Sequence, residues 1–367
     1  MKQHVLISGA SFAGLTLAYW LNKYGYKVTV VEISTGLRRN GAPIDVRGDA
    51  LNVAEQMGVL EHIKTKQITQ ANETEIVDAE NNTVLTFSIN DQPEYQGDME
   101  IYREDLIDII FNAIPANEVT FFFDNKIEQL TQHKDGVEIV FRTGNVNHYD
   151  FVVGADGTHS LVRKLAFGDE GQYSKFFGEY FAFAETTDME FKTSKRLMYN
   201  EPGQTAMVFP VKESLVAGCI FRSPKLEWDY KNPEQIKQIL KDNITSQQWK
   251  MPKILDALLA SDNLYFDEVI QIHLSTWANG RIALIGDAAH ATSFHTGMGT
   301  SLAMQSAKIL ADQLYTHNDH KIAFANYDAT FRPFVESVQA NINKGMNYLV
   351  PETHEGITEA RKRWSKQ

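Results

Sequence analysis

Apolar residues in this chain fall first into a short unbroken run, residues 4–8, and then take helical spacing over residues 12–24, where Leu15, Ala18, Tyr19 and Leu21 share one side. The glycine-punctuated hexapeptide Gly9-Ala10-Ser11-Phe12-Ala13-Gly14 joins the two, so the predicted order is strand, tight turn, helix. A second apolar run, Lys27–Val31, ends in Glu32. Residues 150–154 and 281–285 read as further buried strands. The latter turns at Gly286-Asp287 and leads, past Gly297 and Gly299, into a long amphipathic helix through about Leu314. Residues 171–274 carry aromatic and β-branched runs at 180–184, 206–211 and 215–221, which predict a mainly antiparallel sheet. Residues 321–344 read as helix with a kink or break at Pro333, and the basic stretch 359–367 as a solvated helix end. No internal repeat or low-complexity segment is evident.

The fold class that follows is α/β: a Rossmann-like domain, a mainly antiparallel β-sheet domain beside it, and C-terminal helices. In the first turn, Gly9 supplies unusual backbone angles, the helix N-terminus offers unpaired N–H groups to a pyrophosphate, and Gly14 lets the helix pack closely on the sheet. Ser11 stands where the fingerprint has its middle glycine, a small residue that still permits phosphate approach. Glu32 lies eighteen positions after Gly14, near the offset at which a carboxylate holds ribose hydroxyls. An ordinary βα turn is the competing reading, but packing alone does not demand an acidic residue at the end of the second strand. Ala155-Asp156-Gly157, followed by a helix start near Leu161, is either a second ligand loop or a common Asp-Gly turn.

Three segments together, 9–14, 155–163 and 286–290, carry a resemblance. The chain resembles the single-component FAD-dependent aromatic hydroxylases, a group that includes para-hydroxybenzoate hydroxylase and the tetracycline-inactivating monooxygenases. All three family motifs occur in the family's order over nearly the whole chain. The resemblance implies that Gly9, Ser11, Gly14 and Glu32 serve the ADP half of FAD and that Arg103 lies along the cofactor. It also implies that Asp156 sits near the pyrophosphate and a nicotinamide donor, that Asp287 holds the ribityl chain, and that Gly297 and Gly299 lie under the isoalloxazine ring. Relatives usually carry two prolines where this chain has Ser293 and Phe294, a Gln at Met298 and an Asn at Ser301. The stretch Gly41-Ala42-Pro43-Ile44-Asp45-Val46-Arg47-Gly48 is similar to the tetracycline-inactivating branch, some members of which also lack the proline pair.

Composition narrows the function classes. The 367 residues are 43% hydrophobic, enough for two subdomains with substantial cores. A net charge of −12 and the lack of a basic stripe interleaved with aromatics argue against nucleic-acid binding. No segment has the roughly 18 uninterrupted apolar residues of a membrane span, and residues 1–4 pass directly into the first strand, so neither a span nor a signal peptide is expected. The lone cysteine, Cys219, excludes an intrachain disulfide and a cysteine-based metal site, fits a reducing cytoplasm, and is expected in the core. No metal is expected, and the protein is taken as a cytoplasmic monomer. Arg38, Arg39, Arg47, Arg103 and Arg163 are either partners for FAD phosphates or a nicotinamide donor, or solvated surface arginines. Arg47 and Arg103 stand out because they sit inside family-like motifs, and Arg39 is placed with them at the cofactor.

The flavin pieces occupy residues 1–70, 100–170 and 275–320, so the cofactor domain is expected to be discontinuous. Residues 71–99 and 171–274 then form the substrate domain and 321–367 a C-terminal helical segment, with the substrate site in the cleft between domains. Candidate substrate residues are Arg222, at the end of a strand; His295, beside the glycine turn; and Phe294, Met207 and Phe209, for which core packing is the competing role. His290 is expected to brace its loop.

The resemblance implies an FAD-dependent monooxygenase that uses NADPH or NADH and O2 to hydroxylate a phenolic, enolic or polycyclic aromatic compound, tetracycline-like ones among the candidates, through a flavin hydroperoxide. No side chain then need act as a nucleophile, and no Ser/His/Asp triad stands out. The alternatives are a flavin-dependent reductase or dehydrogenase of the same fold and a non-catalytic FAD-binding protein. The Trp-x-Trp-x-Ile-Pro signature of many flavin-dependent halogenases is absent.

Overall fold

The strand His4–Ser8 lies near the middle of a six-stranded sheet whose order is 278–279, 282–284, 151–154, 4–8, 27–31, 119–122. All its pairings are parallel except that of Ala278–Asn279, which runs antiparallel on Ile282–Leu284. Val5 pairs with Val28 on one side and Phe151 on the other, so segments 146 residues apart in sequence become neighbours. These strands are apolar on both faces because helices cover both, as parallel sheets require. The computed structural model describes residues 3–39, 43–68, 73–88, 97–187, 193–230, 232–342 and 349–365. Gly41 and Ala42 of the family-like stretch, and the expected domain boundary at residues 70–71, lie outside the described residues.

Helix Phe12–Lys23 packs against helices Arg103–Ala113 and Gly299–Thr316, the last of which buries Leu302, Ala303, Met304, Ala307, Leu310, Ala311 and Leu314. The chain crosses from Val119–Phe122 to Phe151–Gly154 through an antiparallel three-stranded meander, 127–132, 137–141 and 146–149. Helix His320–Ala340 runs on through Pro333, where the sequence predicts a kink or break. Burial of Phe331 before the proline and Val335 after it anchors both flanks, so tertiary packing offsets the lost hydrogen bond.

The second layer is a seven-stranded sheet in the order 265–272, 174–186, 214–222, 204–211, 196–201, 73–77, 83–88. Side chains alternate along strand Ser174–Thr186. Tyr180, Ala182 and Ala184 join the core under helices Pro233–Asn243 and Met251–Ala260, together with Cys219, which is fully buried. Phe181 and Phe183 face the other way. Gly218 makes room for that second face, since a Cβ there would lie 2.0 Å from the Phe183 ring. Helix His354–Trp364 closes over the far edge, with Trp364 stacked on Phe87 at 5.1 Å. Among the described residues no helix is long and apolar enough to cross a membrane.

Candidate functional site

The first turn is built by close approach of backbone to backbone. Gly9 has φ +106°, and a Cβ there would lie 2.3 Å from the Ala155 carbonyl oxygen; at Gly14 it would lie 1.9 Å from that of Gly9. Helix Phe12–Lys23 starts with no side-chain cap bond and no acidic residue in its first turn. Its leading N–H groups are therefore left for an anion. The Glu32 carboxylate accepts from Ala10 N (2.9 Å) and Ser34 N (3.0 Å), placing it against the same turn.

Arg103, at the start of its own helix, reaches back to this turn. It donates to Ser11 Oγ at 2.9 Å and lies 4.7 Å over the Phe12 ring. Its Nε is buried without a partner among the described residues, and desolvation lowers its pKa. Asp287 stands within reach of that charge. Desolvation raises the Asp287 carboxyl above its ordinary range, with Arg103 and Arg163 pulling it down and Asp267 pushing it up. No hydrogen bond reaches the Asp287 carboxylate from the described residues, yet a Cβ on Gly299 would lie only 4.0 Å from its Oδ1. Asp287 therefore sits beside the N-terminus of helix Gly299–Thr316. Gly286 (φ +57°) presses the turn onto Ala13 of the first helix.

Gly297 (φ +62°) leaves a space that the Arg47 guanidinium occupies, 2.9 Å from where its Cβ would be. Arg47 donates to Asp45 (2.6 Å), lies 3.4 Å from Asp98, and donates its backbone N–H to Ser301 Oγ at 2.9 Å. Two helix N-termini, a desolvated carboxylate, a desolvated guanidinium and two left-handed glycines thus line one seam. These features fit a dinucleotide bearing a diphosphate and a hydroxylated chain. They also explain the orphaned Arg103 Nε, for which the described residues supply no acceptor.

Other candidates fall elsewhere. Asp156 is turned to its own helix, accepting from Ser160 Oγ, Leu161 N (2.9 Å) and Val162 N (3.1 Å), and burial raises its pKa. Arg163 is fully buried; it pairs with Glu170 and donates to the carbonyls of Thr158 and Ala288 (2.6 and 3.0 Å), bracing the turn that presents Asp287. Arg39 forms an exposed two-pronged pair with Asp108, which solvent screening leaves weak. Its neighbour Arg38 is the one that approaches the seam, 5.5 Å over the Tyr265 ring. Beside it, His159 bridges Glu170 (2.9 Å) and Asp267 (3.1 Å); burial alone would lower its pKa, but these two hydrogen bonds push it up to about 10.

On the sheet side, Phe294 is 37% exposed and lies 4.7 Å from Phe181, while Phe209 packs with Phe183, Tyr102, Val211 and Val216. Met207 packs between the Phe181 cluster and the Met198 cluster. The three form an apolar strip with Phe181 and Phe183. Arg222, expected to meet an enolate or carboxylate, is instead engaged with Glu179 (3.0 Å), Glu352 (2.9 Å) and the Val350 carbonyl (2.9 Å). His295 is wholly shielded from solvent and bonds to Glu179 through Nε2 at 2.6 Å. Sequence reading missed Glu179; the available signal is a carboxylate immediately before the apolar run 180–184, a position that demands a partner. His290 is buried against Trp277 and Phe331, where desolvation lowers its pKa to about 3. It lines a separate cavity of about 370 Å³ with Trp277, Arg332 and Gln339.

Residues 2–341 match the family described as FAD binding domain. A flavin-dependent monooxygenase from an unknown prokaryotic organism is 36% identical over 340 residues, covering 92% of this chain and 87% of that protein. The crystal structure of the tetracycline destructase Tet(55) superposes with a TM-score of 0.87 at 32% identity, covering 100% of this chain and 95% of its own. That of Tet(51) gives 0.88 at 28%, with 100% and 96% covered.

Proposed function

Because this chain belongs to the FAD binding domain family, we propose that it is an NAD(P)H-dependent flavin monooxygenase whose substrate is a phenolic, enolic or polycyclic aromatic compound of the tetracycline type. The flavin-dependent hydroxylation itself follows from the likeness, across nearly the whole chain, to a flavin-dependent monooxygenase and to two tetracycline destructases. One observation of the molecule carries the reading. Arg103, reaching from residue 103 to the turn at Ser11, and Asp287, at the opposite end of the chain, lie on one seam between two helix N-termini.

In this reading Gly9, Ser11, Gly14 and Glu32 would hold the adenosine and diphosphate half, Arg103 and Asp287 the linking chain, and the turn at Gly297 and Gly299 the ring. When bound, FAD supplies the relay of electrons from NADH or NADPH to dioxygen and the delivery of one oxygen atom to an electron-rich carbon. The chain's own residues bind, orient and keep water out. Phe181, Phe183, Phe209, Phe294 and Met207 offer an apolar, aromatic strip suited to a flat polycycle and to excluding water. With Arg222 and His295 both committed to Glu179, recognition rests on shape and stacking rather than on an ion pair. Asp156 and Arg163 would keep the loop at 155–160 in place beside the diphosphate. A cytoplasmic location is part of the same reading and rests on the lone buried cysteine.

The deciding measurement is the visible spectrum of the purified protein, then its bleaching by NADPH in air with a panel of phenols and tetracyclines. Bleaching accelerated by one compound, with an oxygenated product, supports the proposal. Substrate-stimulated NADPH consumption without an oxygenated product points to a reductase, and a colourless protein that cannot be reconstituted with FAD overturns the cofactor assignment.

A further inference from the structure

Glu179 is wholly buried, and its two oxygens serve two different parts of the chain. Oε2 accepts from His295 Nε2 at 2.6 Å, and Oε1 lies 3.0 Å from Arg222 Nη2. Arg222 is its register partner on the neighbouring strand, Ser214–Arg222, so the pair is set by the sheet itself. The other arms of Arg222 are fixed by Glu352 and the Val350 carbonyl. Glu179 is thereby held rigidly by the sheet, and His295 is the movable end of the contact.

His295 belongs to loop 293–297, which is under backbone strain. Ser293 has φ +73° and ψ 150°, a region that only glycine occupies comfortably, and Gly297 is left-handed at φ +62°. A strained non-glycine residue persists only where its surroundings over-determine it. Its surroundings include the His295–Glu179 bond; the Thr296 hydroxyl, which donates to the Ser293 carbonyl at 2.9 Å and shares a hydrogen bond with the Thr292 hydroxyl; and a stack of His295 on Phe294 at 4.2 Å, with Phe181 tilted against Phe294 at 4.7 Å. Past Gly297 the loop runs directly into the N-terminus of helix Gly299–Thr316, beside Asp287.

We propose that Glu179 is a positioning residue: through His295 it clamps loop 293–297 in its strained form and so sets Phe294 as the wall that shields the flavin ring. The inference rests on the flavoprotein reading above. It differs from a plain core ion pair in what it controls, which is access to the cofactor rather than stability of the sheet. Arg222 and the Nε2 side of His295 then act on the reaction through this clamp, since both are taken up by Glu179; His295 Nδ1 is buried with no partner among the described residues.

The test compares FAD-loaded wild type with Glu179→Ala, Glu179→Gln and Phe294→Ala, using sulfite, which adds to N5 of oxidised flavin and bleaches it, as a probe of access. Glu179→Ala and Phe294→Ala are expected to raise the second-order bleaching rate at least about fivefold. Flavin content per protein stays at the wild-type value. Glu179→Gln keeps an acceptor for the His295 N–H and is expected within about twofold of wild type. Should Glu179→Ala fail to fold, His295→Phe serves instead: it leaves Glu179 on Arg222, retains a ring beneath Phe294, and must show the same acceleration. Bleaching at the wild-type rate in the folded variants overturns the clamp, as does a loss of flavin that accounts for the whole change. A wild-type protein that takes up no FAD defeats the flavoprotein reading, and the clamp with it, before any variant is made.

Discussion

Arg103 donates to the hydroxyl of Ser11 at 2.9 Å across 92 residues of sequence, so the helix at 103–113 and the first glycine turn share one hydrogen bond. With Nε of the same guanidinium buried and unpartnered, the residue is poised for an acceptor that the described residues do not supply. Arg103→Met is expected to weaken FAD binding by about 2 kcal/mol, roughly 30-fold in Kd, the worth of one charge-assisted hydrogen bond. Titration of apoprotein with FAD, followed by quenching of flavin fluorescence, gives the number; an unchanged Kd removes Arg103 from the cofactor site.

Asp287→Ala is expected to loosen FAD by about 10- to 100-fold, through loss of a charged acceptor in a desolvated position. Asp287→Asn, which keeps a carbonyl oxygen in place, should fall between that variant and wild type. The ratio of flavin to protein absorbance after gel filtration reports this directly. Full flavin retention in the alanine variant counts against the assignment.

Gly14→Ala sets two effects of opposite sign against each other. Helix propensity favours alanine by about 1 kcal/mol, but its Cβ would sit 1.9 Å from the Gly9 carbonyl oxygen, a backbone atom in a tight turn. Overpacking costs about 1–3 kcal/mol or more in such places. The clash should win, lowering the urea midpoint; a midpoint equal to or above wild type shows that the turn yields.

His159 gives a pH-dependent term. Its folded pKa of about 10 lies above the model-peptide value of 6.5, so its ion pairs stabilise fully below pH 6.5 and less as pH rises toward 10. Glu170, whose pKa is lowered from 4.5, contributes above its unfolded value and loses that contribution in acid. Urea midpoints of wild type and His159→Gln should therefore differ most between about pH 5 and 6.5 and converge by pH 10. A difference that is flat from pH 6 to 10 rules out the charged bridge.

Arg222→Ala leaves a fully buried carboxylate with one partner fewer and detaches residues 350 and 352. A loss of about 3 kcal/mol in stability is expected. The sequence alone, with Arg222 as a substrate residue, suggests raised KM and unchanged FAD content. Thermal unfolding of the two proteins decides between these: equal melting temperatures would restore Arg222 as a substrate anchor.

What was legible in the sequence depended on whether local pattern carried the information. Residues 4–31 could be read almost element by element, because strand, glycine turn and helix follow one another without help from distant segments. Arg103 and Asp287 could be named only through resemblance, since nothing local says that they meet. Of adjacent Arg38 and Arg39 the sequence reading puts Arg39 at the cofactor; the ring of Tyr265, 227 positions after Arg38, draws in the first, while Asp108 ties the second to the surface. Glu179 was invisible as a site because its meaning comes from cross-strand register with Arg222 and from a loop 116 residues away. Pro333 misled for the reverse reason, a strong local signal overruled by burial on either side.

The order of strands in the parallel sheet has a consequence for synthesis on the ribosome. The strand Phe151–Gly154 pairs on one side with residues 5–8, made early, and on the other with Ile282–Leu284, made when three-quarters of the chain has emerged. Until then its outer edge has no neighbour and the turn carrying Asp287 does not exist, so a nascent chain can display the glycine turn long before it can retain a cofactor. Such an edge is a site for mispairing between partly made copies. The interval between residues 154 and 282 is therefore the stretch of translation in which that edge is open to mispairing.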